Sequence, residues 1–142
     1  MIIEVKVFGG AKRAREVIEE YLNELYKYNE AIKKYGIYLK PIHVVTRRTK
    51  GSVKRYYYFG RYWYKVIYSG KSGRISKVKW IYVGKEKPIR EMPDPPPNPL
   101  ELYKMEIEND NVCLYMNSIE LLKKVLELFN GFNMCISVIQ GL

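Results

Sequence analysis

One stretch of the sequence, Arg55-Tyr-Tyr-Tyr-Phe-Gly-Arg-Tyr-Trp-Tyr-Lys65, restricts the fold more than any other. It places seven aromatic rings and three cations within eleven residues. Aromatic residues favour extended strands, and the residues on either side continue the same composition. The segment is therefore predicted to form three strands separated by glycine-containing turns: Ile42–Thr49, Lys54–Tyr68 and Arg74–Val83.

The N-terminal segment predicts a strand followed by a long helix. Apolar and charged residues alternate over residues 3–7, which is the period of a half-buried strand. After Gly9-Gly10, apolar residues recur every three or four positions, which predicts one helix over residues 11–35, ended by Gly36. The apolar stripe packs on the protein's own sheet or, as the alternative, joins two copies in a homodimer.

Five prolines in residues 92–100 predict a stiff connector, because such a run cannot enter a helix or a central strand. Beyond it we expect strands over 102–108 and 112–116, a helix capped by Ser118 and closed by Asn130-Gly131, and a strand over 134–139. The last strand is almost entirely apolar, which predicts burial on both faces. The segment 112–139 is long enough for a crossover between parallel strands.

Together these elements predict an α+β protein. An antiparallel-rich sheet is backed by one long helix, and a β-β-α-β portion forms the C-terminal part. The predicted organisation is a strand–helix plus a basic three-stranded region at 1–90, a proline-rich linker at 91–100 and the β-β-α-β portion at 101–142.

The net charge of +10 is concentrated in the middle of the chain. Residues 41–90 hold 14 Lys and Arg against Glu86 alone, a net charge of +13, whereas residues 91–142 have a net charge of −5. Like charges at this density repel one another, so solubility alone does not explain them. We predict that the chain binds nucleic acid, with DNA favoured over RNA. The alternative is a protein-interaction or inhibitor module whose cationic face docks on an acidic protein.

The sequence offers little for catalysis. His43 is the single histidine, which excludes a two-histidine metal site within one chain, and it lies in an apolar strand. Cys113 and Cys135 are either small buried hydrophobes or a disulfide pair. We predict no metal, no cofactor and no enzymatic activity, and a small nuclease built on unrecognised carboxylates is the remaining alternative.

A candidate phosphate site lies where the first strand meets the long helix. Gly9-Gly10 leads into the helix N-terminus, where free amides and the helix dipole favour an anion. Lys12 and Arg13 stand where the dipole disfavours cations, a cost that a bound anion would offset. The alternative is an ordinary turn.

Pairing the two longest strands about Lys71 divides their side chains between two faces. Lys65 then opposes Lys77, a repulsive pair that phosphate would stabilise. One face becomes a core of rings that includes Tyr62, and the other an exposed platform of rings and cations. The predicted nucleic-acid site consists of Arg47, Arg48, Arg55, Tyr57, Arg61, Trp63, Lys65, Lys71, Arg74, Lys77 and Lys79.

Residues 56–85 also resemble a known module. The run Tyr-Tyr-Tyr-Phe-Gly-Arg-Tyr-Trp-Tyr, a following Gly-Lys and the later Trp-Ile-Tyr-Val-Gly-Lys are similar to a basic–aromatic hairpin. That hairpin occurs in archaeal integrase-like DNA-binding arms and in uncharacterised archaeal viral and plasmid proteins. The resemblance covers under a quarter of the chain. It implies DNA binding but not strand transfer, because no integrase catalytic tyrosine with its Arg and His set is recognisable.

Composition bears on the origin of the protein. Gln occurs once, Tyr occurs fourteen times and Lys and Glu are plentiful, which resembles the usage of heat-adapted proteins. No apolar run is long enough to span a membrane, and charges at positions 4 and 6 exclude a signal peptide. We expect a cytoplasmic protein of a thermophilic archaeon or archaeal virus, without a membrane partner.

Overall fold

Strands and helices follow one another in the order that the hydrophobic periodicities predict. The computed structural model describes residues 1–98, 100, 102 and 104–139, apart from the side chains of residues 41, 72 and 76. Within these residues the strands are β1 (Ile2–Val7), β2 (Ile37–Thr49), β3 (Ser52–Ser72), β4 (Ile75–Gly84), β5 (Lys104–Glu108), β6 (Asn111–Met116) and β7 (Met134–Ile139). The helices are α1 (Ala11–Ile32) and α2 (Ile119–Leu128).

The strands form one sheet in the order β2-β3-β5-β6-β1-β7, and β4 pairs with β3 beside this path. β1 lies between β6 and β7 and is antiparallel to both, so β6 and β7 run parallel without being neighbours. The predicted crossover is therefore present, with β1 inserted between its two strands. Without β2–β4, the order β1-α1-β5-β6-α2-β7 is the βαββαβ arrangement of ferredoxin-like folds. The protein is α+β, as predicted.

The chain divides into two compact units that alternate along the sequence. Unit 1 comprises residues 1–20, 42–59 and 98–142, and unit 2 comprises residues 21–41 and 60–97. This division differs from the predicted segments 1–90, 91–100 and 101–142, because β1 pairs with the C-terminal strands β6 and β7. One boundary does fall in the proline-rich connector, of which residue 99 lies outside the described residues.

The core of unit 1 is formed by every second residue of β1, β5 and β6. Val5 pairs with Leu114, for example, and both side chains are fully buried. The first half of α1 supplies further buried side chains such as Ala14, and α2 with its C-cap supplies Val125 and Phe129. Strand side chains alternate between faces, so one face of these strands is covered and the other is not.

Trp63 belongs to the core of unit 2. It packs with buried residues of α1, β2 and the proline-rich segment: Tyr21, Leu25, Tyr28, Ile32, Ile37, Leu39 and Met92. The ring of Tyr28 meets Trp63 edge-on at 6.3 Å between centroids, and its hydroxyl donates to the Pro93 carbonyl at 2.7 Å. These contacts hold the start of the proline-rich segment on the core.

The stripe of α1 is used inside the chain. Its apolar residues from Ala14 to Ile32 are buried, so the structure does not support a homodimer through this stripe. A single 3₁₀ turn, Lys33–Tyr35, follows α1, and Gly36 caps it at φ 70°, in the left-handed region that favours glycine. The predicted helix end at Gly36 is thereby confirmed.

One prediction about the C-terminal portion is wrong. β7 is not buried on both faces, because it lies at the edge of the sheet next to β1, and its residues from Cys135 to Val138 are exposed. α2 starts at its predicted cap, with Ser118 Oγ accepting from the Leu121 amide at 3.3 Å, and it ends at Leu128 with Phe129 as its C-cap, directly before the predicted closing pair Asn130-Gly131. No helix among the described residues is both long and apolar enough to cross a membrane.

Candidate nucleic-acid interface

The hairpin between β3 and β4 turns later than predicted. Ser72 pairs with Ile75, and Gly73 at φ 64° lies in the turn, whereas the prediction centred the turn on Lys71. Val66 consequently opposes Trp80, where the predicted partner was residue 76. Between Tyr64 and Tyr68 the partner in β4 is four residues later than predicted. Because four is an even number, odd- and even-numbered side chains stay on their separate faces there.

The predicted pair of Lys65 and Lys77 does not form. Lys65 opposes Ile81, and Lys77 opposes Gly70 beyond a register irregularity in β3. The repulsion directly across the strands that the prediction invoked is therefore absent. The cations repel one another only as neighbours on the same face.

The prediction that Trp63 lies at the centre of an exposed platform is wrong. Its side chain is fully buried, whereas Tyr62 and Tyr64, predicted for the core, are half-buried. The aromatic residues of α1 cover Trp63, so the odd-numbered side of β3 faces inward here. The two faces are inverted at this point relative to the prediction.

The other predicted site residues on β2 and the first part of β3 lie in unit 1. The guanidinium carbon of Arg47 lies 5.4 Å from the ring centroid of Tyr56, a cation–π contact. Arg48 and Arg55 are exposed, and the half-buried Tyr57 pairs with Met105 of β5. None of these four belongs to unit 2 with the remaining predicted residues.

Neighbouring cations of unit 1 have acidic partners. Lys54 lies 3.6 Å from Glu108, and Lys104 lies 3.1 Å from Glu106. Unit 1 holds 12 Lys and Arg and 10 Asp and Glu, which gives a net charge of +2. Unit 2 holds 13 Lys and Arg and 5 Asp and Glu, which gives a net charge of +8. The excess positive charge of the protein therefore lies mainly in unit 2.

Within unit 2, the cations concentrate on the β3–β4 hairpin. Residues 60–85 contain seven Lys and Arg and no acidic residue. Arg61 lies near Asp94, whose pKa is lowered by a hydrogen bond from Lys87 and further by Arg61. Between positions 65 and 79, five exposed cations form no ion pair with the residues the structure describes: Lys65, Lys71, Arg74, Lys77 and Lys79.

The outer part of the hairpin, residues 67–79, is a two-stranded ribbon that we call the distal ribbon. β2 begins at Ile37, and the carbonyl just before it, that of Gly36, accepts from the Val66 amide at 2.8 Å. Beyond this point β3 pairs only with β4 among the described residues. Every side chain described between positions 67 and 83 is exposed.

The hairpin places three of its cations and its rings on opposite faces. Lys65, Lys77 and Lys79 share one face with Ile67 and Ile81, and we call this the basic face. The opposite, aromatic face has three consecutive cross-strand pairs that contain the rings: Tyr64–Tyr82, Val66–Trp80 and Tyr68–Val78. Within the distal ribbon both faces are accessible, because side chains of a two-stranded ribbon have no second layer to cover them.

The rings on the aromatic face contact one another edge-on. Trp80 meets Tyr38 of β2 at 4.9 Å with an interplanar angle of 88°, and Tyr64 at 6.1 Å and 76°. Tyr64 also meets Tyr82 at 5.6 Å. Trp80 nevertheless remains 50% exposed. Edge-to-face contacts of this kind hold the rings in defined orientations.

A cleft of about 220 Å³ opens beside these rings, and we call it the aromatic cleft. Its lining includes Tyr38 and Trp80, Val66 and Val78 of the hairpin, and Glu30 and Lys33 near the end of α1. Burial raises the pKa of Tyr38, with a smaller contribution from Tyr26, so this hydroxyl stays neutral at physiological pH. The cleft is therefore mainly apolar, with polar groups at its rim.

The candidate phosphate site at Gly9 and Gly10 is already occupied by the protein's own acceptors. The Gly9 amide donates to Asn111 Oδ1 at 2.9 Å, and the Ala11 amide donates to the Asp110 carbonyl at 3.0 Å. The side chain of Arg13 bonds to the Leu128 carbonyl, and that of Lys12 is exposed. The geometry favours an ordinary turn over an anion site.

The cysteines and the histidine form neither a disulfide nor a metal site among the described residues. Cys113 and Cys135 pair with Lys6 from opposite sides of β1, which places their Cα atoms about 10 Å apart, too far for a disulfide. His43 is exposed, with its ring 6.3 Å from that of Tyr58. In the part of the chain that the structure describes, no three His, Cys, Asp or Glu residues could hold a metal ion.

Sequence reasoning missed three rings of this surface: Tyr38, Trp80 and Tyr82. The alternation of Trp80 and Tyr82 with Lys79 and Ile81 was a signal that the rings of β4 share one face. Tyr38 carried no comparable signal, because the strand was predicted to begin at Ile42 and not at Ile37. Comparison with protein-family models, with curated proteins and with solved structures finds no match to this chain.

Proposed function

We propose that this chain binds nucleic acid, DNA in preference to RNA, through the distal ribbon and the cations beside it. The observation that carries the proposal is the set of five exposed cations without an acidic partner among the described residues. Their mutual repulsion costs folding free energy that nothing in the hairpin offsets. A phosphate backbone neutralises such a surface and releases counterions on binding.

The shape of the ribbon supports DNA as the favoured polymer. The major groove of B-form DNA is about 12 Å wide and admits a two-stranded ribbon, whereas the major groove of A-form RNA is deep and too narrow for side chains to read. Residues 67–72 of β3 give the ribbon a length of about 20 Å. Apolar side chains on the ribbon, such as Ile75 at 72% exposure, are typical of a surface that a partner covers.

The proposal is limited to binding without catalysis. The hairpin holds neither an acidic residue nor a histidine to act as a general acid or base. The resemblance of residues 56–85 to archaeal DNA-binding arms also implies binding alone. Together with the composition, it supports an origin in a heat-adapted archaeon or archaeal virus.

Fluorescence anisotropy over a salt series tests the proposal. A labelled DNA duplex and the matching RNA duplex are titrated with the protein, starting at about 50 mM salt, where phosphate contacts bind most strongly. We expect the logarithm of the DNA affinity to fall linearly with the logarithm of salt concentration, and RNA to bind more weakly. Absence of binding to both duplexes at the lowest salt would refute the proposal and favour an acidic protein as partner.

A matched pair of variants then locates the contact. Lys77→Gln with Lys79→Gln should reduce the salt slope by up to roughly two units, because each neutralised phosphate contributes about 0.9. Lys123→Gln with Lys124→Gln removes the same charge from exposed positions of α2 and should leave the slope unchanged. Equal effects of both pairs would mean that net charge, and not the ribbon, governs affinity.

A further inference from the structure

The aromatic cleft does not take part in the groove contact described above, because its rings lie on the face opposite to Lys65, Lys77 and Lys79. We propose that this cleft holds an unpaired nucleobase, so that the protein recognises single-stranded segments as well as a duplex. This inference rests on the proposed nucleic-acid binding. It assigns single-stranded nucleic acid to the aromatic face, whereas the basic face is proposed to contact a duplex.

The orientation of the rings supports a planar ligand. Trp80 is held edge-on by Tyr38 at 4.9 Å and by Tyr64 at 6.1 Å, yet half of its surface is accessible. An indole fixed by its neighbours loses little freedom when another ring stacks on it. Stacking on aromatic side chains is the usual contact of unpaired bases, because every base has a flat π surface.

The size of the cleft agrees with a single base. Pockets for drug-sized ligands hold about 300–1,000 Å³, and this cleft of about 220 Å³ is smaller. Val66 and Val78 give it an apolar lining that offers no partner to a charged or strongly hydrated group. A phosphate or a carboxylate would therefore lie at the rim, and a ring would lie inside.

Polar groups at the rim match the edge of a base. Glu30 and Lys33 are exposed, are free of ion pairs among the described residues, and offer an acceptor and a donor. The amide of Asn29, by contrast, is fully used: its Oδ1 accepts from the Leu39 amide at 2.9 Å and its Nδ2 donates to the Leu39 carbonyl at 3.1 Å. These two bonds hold this part of α1 against β2 and so fix one wall of the cleft.

Two cations lie beside the cleft. Lys33 lines it from the turn after α1, and Lys71 of β3 pairs with β4 two positions before Val78, which also lines the cleft. Phosphates on either side of a bound base would meet these ammonium groups, which are free of acidic partners in the described part of the chain. Charge complementarity therefore favours a polynucleotide over a neutral aromatic ligand.

Equilibrium binding of an oligothymidine strand and of a blunt DNA duplex of the same length tests this inference. Trp80→Ala should weaken binding of the strand by about 5- to 150-fold, the usual effect of losing one stacked base, and should change binding of the duplex by less than about twofold. Phe8→Ala, which removes an exposed ring from unit 1, is the control and should change neither affinity.

A second measurement keeps the test valid if Trp80→Ala reduces folding. A strand that contains 2-aminopurine should lose fluorescence on binding to the wild-type protein because the base stacks, and Trp80→Phe should retain part of this quenching. An unchanged strand affinity in Trp80→Ala, or equal weakening of strand and duplex, overturns the inference while leaving the proposed function intact. Failure of both polymers to bind the wild-type protein overturns both.

Discussion

Replacing Trp63 with alanine tests the inverted face assignment most directly. The side chain is fully buried among residues of α1, β2 and the proline-rich segment, and truncating a buried Trp to Ala typically costs about 3–5 kcal/mol. A chain of 142 residues has an unfolding entropy of about 0.3 kcal/mol/K. We therefore expect the melting temperature of the protein to fall by about 10–17 °C.

Trp63→Phe should cost much less than Trp63→Ala. Phenylalanine keeps a ring against Tyr28 and removes the indole N–H, which is buried and has no hydrogen-bond partner in the described residues. An unpaired buried donor costs about 1–3 kcal/mol, so its removal offsets part of the lost packing. We expect less than half of the destabilisation that Trp63→Ala produces.

Thermal unfolding followed by circular dichroism compares these variants with Trp80→Ala. Because Trp80 is 50% exposed, its replacement should lower stability by about 1 kcal/mol or less. The buried and the exposed tryptophan thus differ by several degrees in expected melting temperature. A larger loss for Trp80→Ala than for Trp63→Ala would refute the inward orientation of the odd-numbered side of β3.

Two further predictions concern unit 1. Gly10→Ala should destabilise the protein by about 1–3 kcal/mol, measured by guanidinium unfolding. The new Cβ would lie 2.6 Å from Val7 Cγ1 and 3.1 Å from Val112 Cγ1, which is too close for this tightly packed turn. Unchanged stability would contradict the packing. Mass spectrometry after iodoacetamide treatment of the native protein should find Cys135 modified before Cys113. Cys135 is exposed, whereas burial, aided by nearby carboxylates, raises the pKa of the Cys113 thiol and leaves little thiolate below that pKa; equal rates at pH 8 would contradict this.

Local periodicity predicted the elements of this fold well. The alternation over residues 3–7 formed β1, the stripe after Gly10 formed α1, and residues 134–139 formed β7 with the predicted bounds. Each of these signals is contained in a few consecutive residues. The order of strands in the sheet depends instead on residues far apart in the sequence. Apolar strands such as β1, β6 and β7 offer similar faces to one another, so the sequence alone did not place β1 between the other two.

The register of the hairpin shows where local reasoning fails. Gly70 and Gly73 both adopt positive φ, so either could have formed the turn, and the irregularity at Ser69 lets β3 slip by one residue relative to β4. From Tyr64 to Tyr68 the shift is by four residues, which preserved the division into a basic and an aromatic face, whereas beyond Ser69 the extra residue changes the face of Lys71. Which side faced inward was not encoded locally, because rings occur at odd and even positions of β3 alike, and the aromatic residues of α1 decide it by covering Trp63.

The distribution of acidic residues gives a physical reason for an external anion. Fifteen Asp and Glu could in principle neutralise most of the 25 Lys and Arg, and in unit 1 they do so, for instance in the pairs of Lys54 with Glu108 and Lys104 with Glu106. No acidic residue occurs within residues 60–85. In the free protein, repulsion among the hairpin cations is thus screened only by salt. In the proposed complex these cations would neutralise phosphates and release the counterions condensed on the nucleic acid, so added salt should stabilise the free protein and weaken the complex.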